Sequence, residues 1–314
     1  MKTREVLTWL IGLLLLLFAA ACAPTTTDNT QPPLLPTQMT LTPVVEELIV
    51  PTATPTMLPT FTPEPTATTP LFNESAQFQV VYVAANDVLN VRSGPGVNND
   101  AVGELSPDAT GITLTGEGQM VGDSLWVPIQ AGNVAGWVNS NYLAEQVLGS
   151  DFCQDAAAAK LLTDFKAAID SRNGATLATL VHPERGLTIH RHWWNPAVNI
   201  PASAMPNVFA DTASYYWGTE DGSGFDINGS FADVALPLLD KDMILSTQTA
   251  CNEILAGNTA GMVRLPDGYD SLNYFSVYRQ AVDIEFDWGS WVMGVEKVEG
   301  RYVVSYLVHF AWEI

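Results

Sequence analysis

Leu89-Asn90-Val91-Arg92-Ser93-Gly94-Pro95-Gly96 is the stretch whose reading decides the fold of the first half of the chain. An apolar run from Val88 to Val91 leads into Ser-Gly-Pro-Gly. Proline fixes φ at about −65° and each flanking glycine tolerates positive φ, so a strand must end here in a tight, shaped turn. Working outward, strand-like runs fall at 79–83, 89–91, 101–105, 111–115, 126–129, 136–138 and 142–143, separated by Gly, Asn and Asp. β-Branched and aromatic residues at that spacing predict a small all-β barrel over 76–147. Val91, Leu105, Leu114, Val127 and Val138 are its expected core, because so small a domain needs a well-filled interior. Pro128 lacks a backbone donor and belongs at a sheet edge or bulge.

The 89–96 run, Trp126 opening the fourth strand, Gly136-Trp137-Val138 and Tyr142-Leu143 together resemble the bacterial SH3 (SH3b) domain, an SH3-like barrel, over the whole segment. The resemblance implies a binding module without chemistry of its own, commonly for peptidoglycan or its peptides. In that family the first loop and neighbouring aromatics line a groove. Carried onto this chain, the ligand-binding candidates are Asn90, Arg92, Ser93, Trp126 and Tyr142. A plainer reading stands beside it: Arg92 braces the turn or pairs with a carboxylate, and Trp137 is core.

Upstream, the chain reads as delivery. Met1 to Arg4 carries two basic residues, and an apolar run over 6–18 is too short to span a bilayer, as in a signal peptide over 1–21. Ala19-Ala20-Ala21-Cys22 resembles a lipobox, which implies lipidation of Cys22 and an anchor on the outer face of a membrane. Ala19 departs from the usual Leu, and cleavage after Ala21 with secretion is the alternative. Residues 22–72 are Thr- and Pro-rich, with no Lys or Arg. Such a segment buries no core and favours an extended coil of up to about 150 Å at about 3.1 Å per residue.

With 13 basic against 34 acidic residues, the net charge is −21. That balance argues against nucleic acid and polyanionic wall polymers as partners, and against any membrane contact beyond the N-terminal lipid. Within 76–147 Arg92 is the only basic residue, so a neutral or cationic ligand suits the module. Apart from Cys22, the cysteines are Cys153 and Cys251, which an exported protein is expected to pair; two buried thiols are the alternative.

The region 150–314 predicts an α+β domain. A helix over about 151–172 has apolar Ala157, Leu161, Phe165, Ala168 and Ile169 on one face. Short helices follow at 175–181, 206–216 and 230–239, then antiparallel strands at 273–282, 283–298 and 301–314. In the last strand Tyr302, Val304, Tyr306, Val308, Phe310, Trp312 and Ile314 fall on one face, as in a half-buried strand. Helix first and meander last are compatible with an NTF2-like cone. Segments 180–186 and 217–224 resemble motifs of an uncharacterised module of secreted bacterial proteins, which implies no activity.

Constellations for chemistry are weak here. His190 and His192 at i,i+2 suggest a metal pair, but Arg191 repels a cation and no third ligand follows. His182-Pro183-Glu184 could form an acid–base pair or cap helix carbonyls. Asp226 to Ser230 resembles the start of a calcium loop but lacks its later ligands. Trp193, Trp194, Trp217, Tyr215 and Tyr216 could line a cavity or serve as core. No metal or cofactor is implied. The expectation is a non-enzymatic, membrane-tethered binding protein whose second domain takes a ligand or protein partner. A wall-active enzyme, or a sensor or adaptor that never touches the wall, are the alternatives.

Overall fold

The computed structural model describes residues 76–312. The leader, Cys22, the 22–72 segment and Ile314 lie outside them. Eight short strands build the N-terminal region: β1 (Phe78–Val80), β2 (Leu89–Arg92), β3 (Ala101–Leu105), β4 (Thr113–Leu114), β5 (Gln119–Val121), β6 (Ser124–Ala131), β7 (Val134–Asn139) and β8 (Leu143–Glu145). Alternation sorts β2 into buried Leu89 and Val91 and outward Asn90 and Arg92. Val91, Leu105, Val127 and Val138 are buried together with Phe78, Ile112 and Leu143, and Leu114 packs at their margin.

The strands run β3-β2-β7-β6-β4, with β5 also on β6, while β1 pairs with β8 and bridges Ile112 through Phe78. The expected barrel is not closed: the ordered sheet runs from β3 to β4 without their pairing. Pro128 lies inside β6, paired with Trp137 of β7. Its carbonyl accepts from the Thr115 N–H at 2.9 Å, but it has no N–H to return, and the β4–β6 ladder stops at Leu114. The proline thus sits in a gap along β6, between its pairings with β4 and β5.

The single helix expected over 151–172 is two, α1 (Gly149–Gln154) and α2 (Ala156–Asp170). Asp155 between them is extended, and its carboxylate caps α2 by accepting from the Ala157 N–H at 2.8 Å. Asn173 likewise caps α3 (Gly174–Leu180). Strands β9 (Leu187–His190) and β10 (Val198–Ile200) follow. In place of a helix over 206–216 there is a 3-10 segment, Ala202–Asn207, and then a hairpin of β11 (Tyr215–Thr219) and β12 (Asp226–Gly229). Helix α4 (Phe231–Leu238) begins at a capping box of Ser230 and Asp233 and continues into a π-helical turn, Leu239–Ile244.

The last strands are β13 (Gln248–Cys251), β14 (Asn273–Arg279), β15 (Gly289–Val298) and β16 (Arg301–Ala311). With β9 and β10 they form a six-stranded sheet, β10-β9-β16-β15-β14-β13, antiparallel except where β9 runs parallel to β16. The one-faced reading of the final strand fails at Ser305. Gly294 faces Tyr306 and Val295 faces Val304, so Ser305 bulges out of the ladder and inverts the alternation. Val304 and Leu307 join the core under the helices, whereas Tyr306, Val308 and Phe310 join another on the opposite face. Residues 303–310 are buried throughout, so the strand is covered on both faces.

That second face explains how the two regions meet. Its core combines Leu265, Leu272, Trp288 and the β16 residues with Val81 and Ala144 from the N-terminal region. All described residues belong to one compact unit. Cys153 of α1 and Cys251 of the edge strand β13, 98 positions apart in sequence, form a disulfide with Cα atoms 5.7 Å apart.

Candidate functional site: a groove at the start of the open sheet

The turn after β2 is held by two side chains. Arg92 Nη1 donates to the Asn99 carbonyl at 2.8 Å, and Asn99 Nδ2 donates to the Pro95 carbonyl at 2.7 Å. Of the two glycines only Gly96 takes positive φ, at 104°. The bracing reading of Arg92 is thus satisfied, and it takes one of the five N–H donors of the guanidinium.

Beside this turn lies a groove of about 450 Å³. Asn90, Arg92, Trp126 and Tyr142 all line it. Ser93 does not; it is exposed, and its N–H donates to the Asp100 carbonyl. Trp126 is buried in the floor and Tyr142 stands 40% exposed on the wall. Trp137 is half-buried on β7 and is not among the lining residues. Tyr82, Asp87 and Asn139 also line the groove, and so does one residue from far along the chain, Asp267.

Asp267 reaches the groove because the neighbouring backbone can come very close. Gly268 takes φ 82°, and a Cβ there would fall 2.7 Å from the Tyr82 carbonyl carbon. Only glycine fits that conformation and that gap. Tyr82 is itself a non-glycine residue at φ 58°, fastened by N–H bonds to the Gly268 carbonyl at 3.3 Å and to Ser271 Oγ at 3.2 Å. Backbone strain of this kind persists where surrounding contacts over-determine it. No protein-family model, curated protein or solved structure matches the chain. The groove must therefore be read from its own chemistry: aromatic surface, two amides, one guanidinium, and two carboxylates.

Below the groove lies a buried ionic junction. Glu296 of β15 is 3% exposed. Its carboxylate accepts from the Tyr82 hydroxyl at 3.1 Å and lies 3.5 Å from Arg185 Nη2 and 3.8 Å from His182 Nε2. Arg185 also donates to the carbonyls of Asn141 at 2.9 Å and Leu143 at 2.6 Å, and it covers the Tyr82 ring. Burial by itself would raise the Glu296 pKa, but the Arg185 charge foremost, helped by the hydrogen bond from Tyr82, outweighs it and holds the carboxyl below its usual range. Burial, followed by Glu296, pushes the Tyr82 phenol well above its ordinary value. His182 neither caps helix carbonyls nor pairs with Glu184: its Nδ1 accepts from the backbone N–H groups of Glu184 and Arg185 at 3.2 and 3.1 Å.

The other sequence candidates disperse. β9 ends at His190, so His190 and His192 do not continue as a strand pair. His190 is held by the Asn195 carbonyl at 2.9 Å and the Tyr269 hydroxyl at 3.1 Å, while His192 stacks on Trp194. Asp226 to Gly229 is strand rather than loop. Trp217 is fully buried and Tyr216 and Trp194 are exposed, so these aromatics do not gather. A cluster without any sequence signal sits beneath the π-helical turn. Asp242 bonds Arg279 Nε and His309 Nε2, each at 2.7 Å, and the other His309 nitrogen meets the Arg191 carbonyl at 3.2 Å. Despite burial, which raises it, Asp242 is held low by these two partners. The group is enclosed on all sides and reads as structural.

Proposed function

We propose that the chain is an exported binding protein whose N-terminal region, an SH3b-like module in an open form, takes up a short envelope peptide in the groove lined by Asn90, Arg92, Trp126 and Tyr142. The observation that carries this reading is the convergence of those four residues on one groove of about 450 Å³. They come from β2, β6 and the turn before β8. The net charge of −21 favours a neutral or cationic ligand over a polyanion. The disulfide suits an extracytoplasmic location. Among the described residues no helix is long and apolar enough to cross a membrane, and Cys22 would supply the lipid anchor.

In this reading the C-terminal region, with helices on one face of its sheet in the manner of an NTF2-like cone, acts as support and partner surface without catalysis. Peptidoglycan peptides are the proposed ligand class. Co-sedimentation with purified sacculi at low salt tests it: the chain is retained, and the exposed-residue variant Asn90→Ala/Tyr142→Ala is released. Failure of the unaltered chain to be retained overturns wall binding, and a cleared band in zymography overturns the non-catalytic reading.

A further inference from the structure

Resting on the groove assignment above, we infer that the groove is polar end to end and selects an extended peptide with an ammonium group at one end and a free carboxylate at the other, with Asp267 of the C-terminal region as a specificity-determining residue. β2 runs along the groove. Asp87 precedes this strand and Arg92 closes it, and both line the cavity. Their α-carbons are separated by at most about 16 Å, at about 3.3 Å per residue. A fully extended peptide of about five residues covers that span.

Charge is divided along it. Arg92 supplies the only cation of the lining, beside the turn. Asp267 lies next to Gly268, whose carbonyl is bonded by the Tyr82 N–H, and it lines a neighbouring hollow together with Ala85, two residues before Asp87. Both carboxylates therefore serve the entrance of β2 and the guanidinium serves its exit. Asp87 Oδ1 accepts from the Val88 N–H at 2.8 Å. Asp267 lies 3.5 Å from Arg264, with both side chains more than half exposed, a pairing that solvent screens heavily. Both carboxylates keep acceptor capacity for a ligand. Between the two ends stand Asn90 and Asn139, whose amides suit peptide groups, and Tyr142, which offers flat apolar surface, with Trp126 buried in the floor. β2 is paired along its length to β3 and at Arg92 to Trp137 of β7, and in this reading the ligand is recognised by these side chains.

The test is an NMR titration of the full chain at low salt, observed at the Trp126 indole and the Asn90 side chain. The probe is an N-acetylated pentapeptide, lysine followed by four alanines, with a free carboxylate. Acetylating its lysine, or amidating its C-terminus, should each weaken binding up to about fivefold, the range for a partly exposed ion pair. Asp267→Asn should weaken binding of the lysine peptide about as much and leave the acetyl-lysine peptide unchanged. Asp270→Asn, which removes the same charge outside the groove, should alter neither. Equal affinity for all peptides, or equal effects of the two variants, overturns the polarity while leaving a peptide groove. Absence of any shift at Trp126 and Asn90 overturns it too, and sacculus retention of the same sample then shows whether wall binding falls with it.

Discussion

At Glu296 a carboxylate sits almost wholly out of water and stays ionised because Arg185 faces it, with His182 alongside. His182 is the more informative partner. Two backbone N–H groups point at its Nδ1, so protonating that nitrogen would break both bonds. Burial foremost, opposed by Glu296 and reinforced by Arg185, holds the ring at a pKa of about 4 against an ordinary 6.5. The sign follows. Between 6.5 and about 4 the unfolded chain takes up a proton that the folded chain refuses, so stability is complete above 6.5 and falls as the pH drops to about 4. Glu296, also depressed, extends the loss in the same direction at lower pH. Urea midpoints measured from pH 8 to pH 4 should fall through this window, and His182→Gln should flatten part of the slope. A flat profile for the unaltered chain would contradict the assignment.

Among the elements, β13 is the most exposed to loss, since it lies at the sheet edge and pairs only with β14. The disulfide from Cys251 to α1 holds it there. Closing a loop of this length removes on the order of 4.7 kcal/mol of unfolded-chain entropy in the chain-entropy model. Cys153→Ser/Cys251→Ser should therefore lower stability by about 2–5 kcal/mol in denaturant titration. Hydrogen exchange should rise first in β13, and unchanged protection there would show that packing alone secures the edge. The ends of elements were legible where polar side chains mark them: Asn173-Gly174 stops one helix, and Ser230 starts another. They were not legible at Asp155. A single acid inside an amphipathic pattern looks like surface until the backbone turns and the side chain caps the next helix.

For the whole molecule, the two regions share a buried core and an ionic junction, and the guanidinium of Arg185 belongs to both. Arg185→Ala strips a buried carboxylate of its cation and leaves carbonyls of Asn141 and Leu143 unbonded. It should cost about 3–5 kcal/mol. It should also separate the unfolding of the N-terminal region from that of the sheet in calorimetry, where the unaltered chain should show one transition. A single transition with unchanged midpoint would remove Arg185 from this role.

By itself, the sequence determined which residues of the N-terminal region alternate inward, the turn after Arg92, the pairing of two cysteines, and four of the residues that line the groove. Those are local or compositional properties: periodicity, φ restriction and redox context act over a few residues or over the whole composition. Only the tertiary structure decided that the small sheet stays open, that a bulge at Ser305 divides β16 between two cores, and that Asp267 joins Tyr82 in lining one groove. Each depends on contacts between residues far apart in the chain, such as the bond from the Tyr82 N–H to Ser271, 189 residues away. No short-range pattern encodes such a contact, because it exists only once both surfaces have folded and been buried against each other.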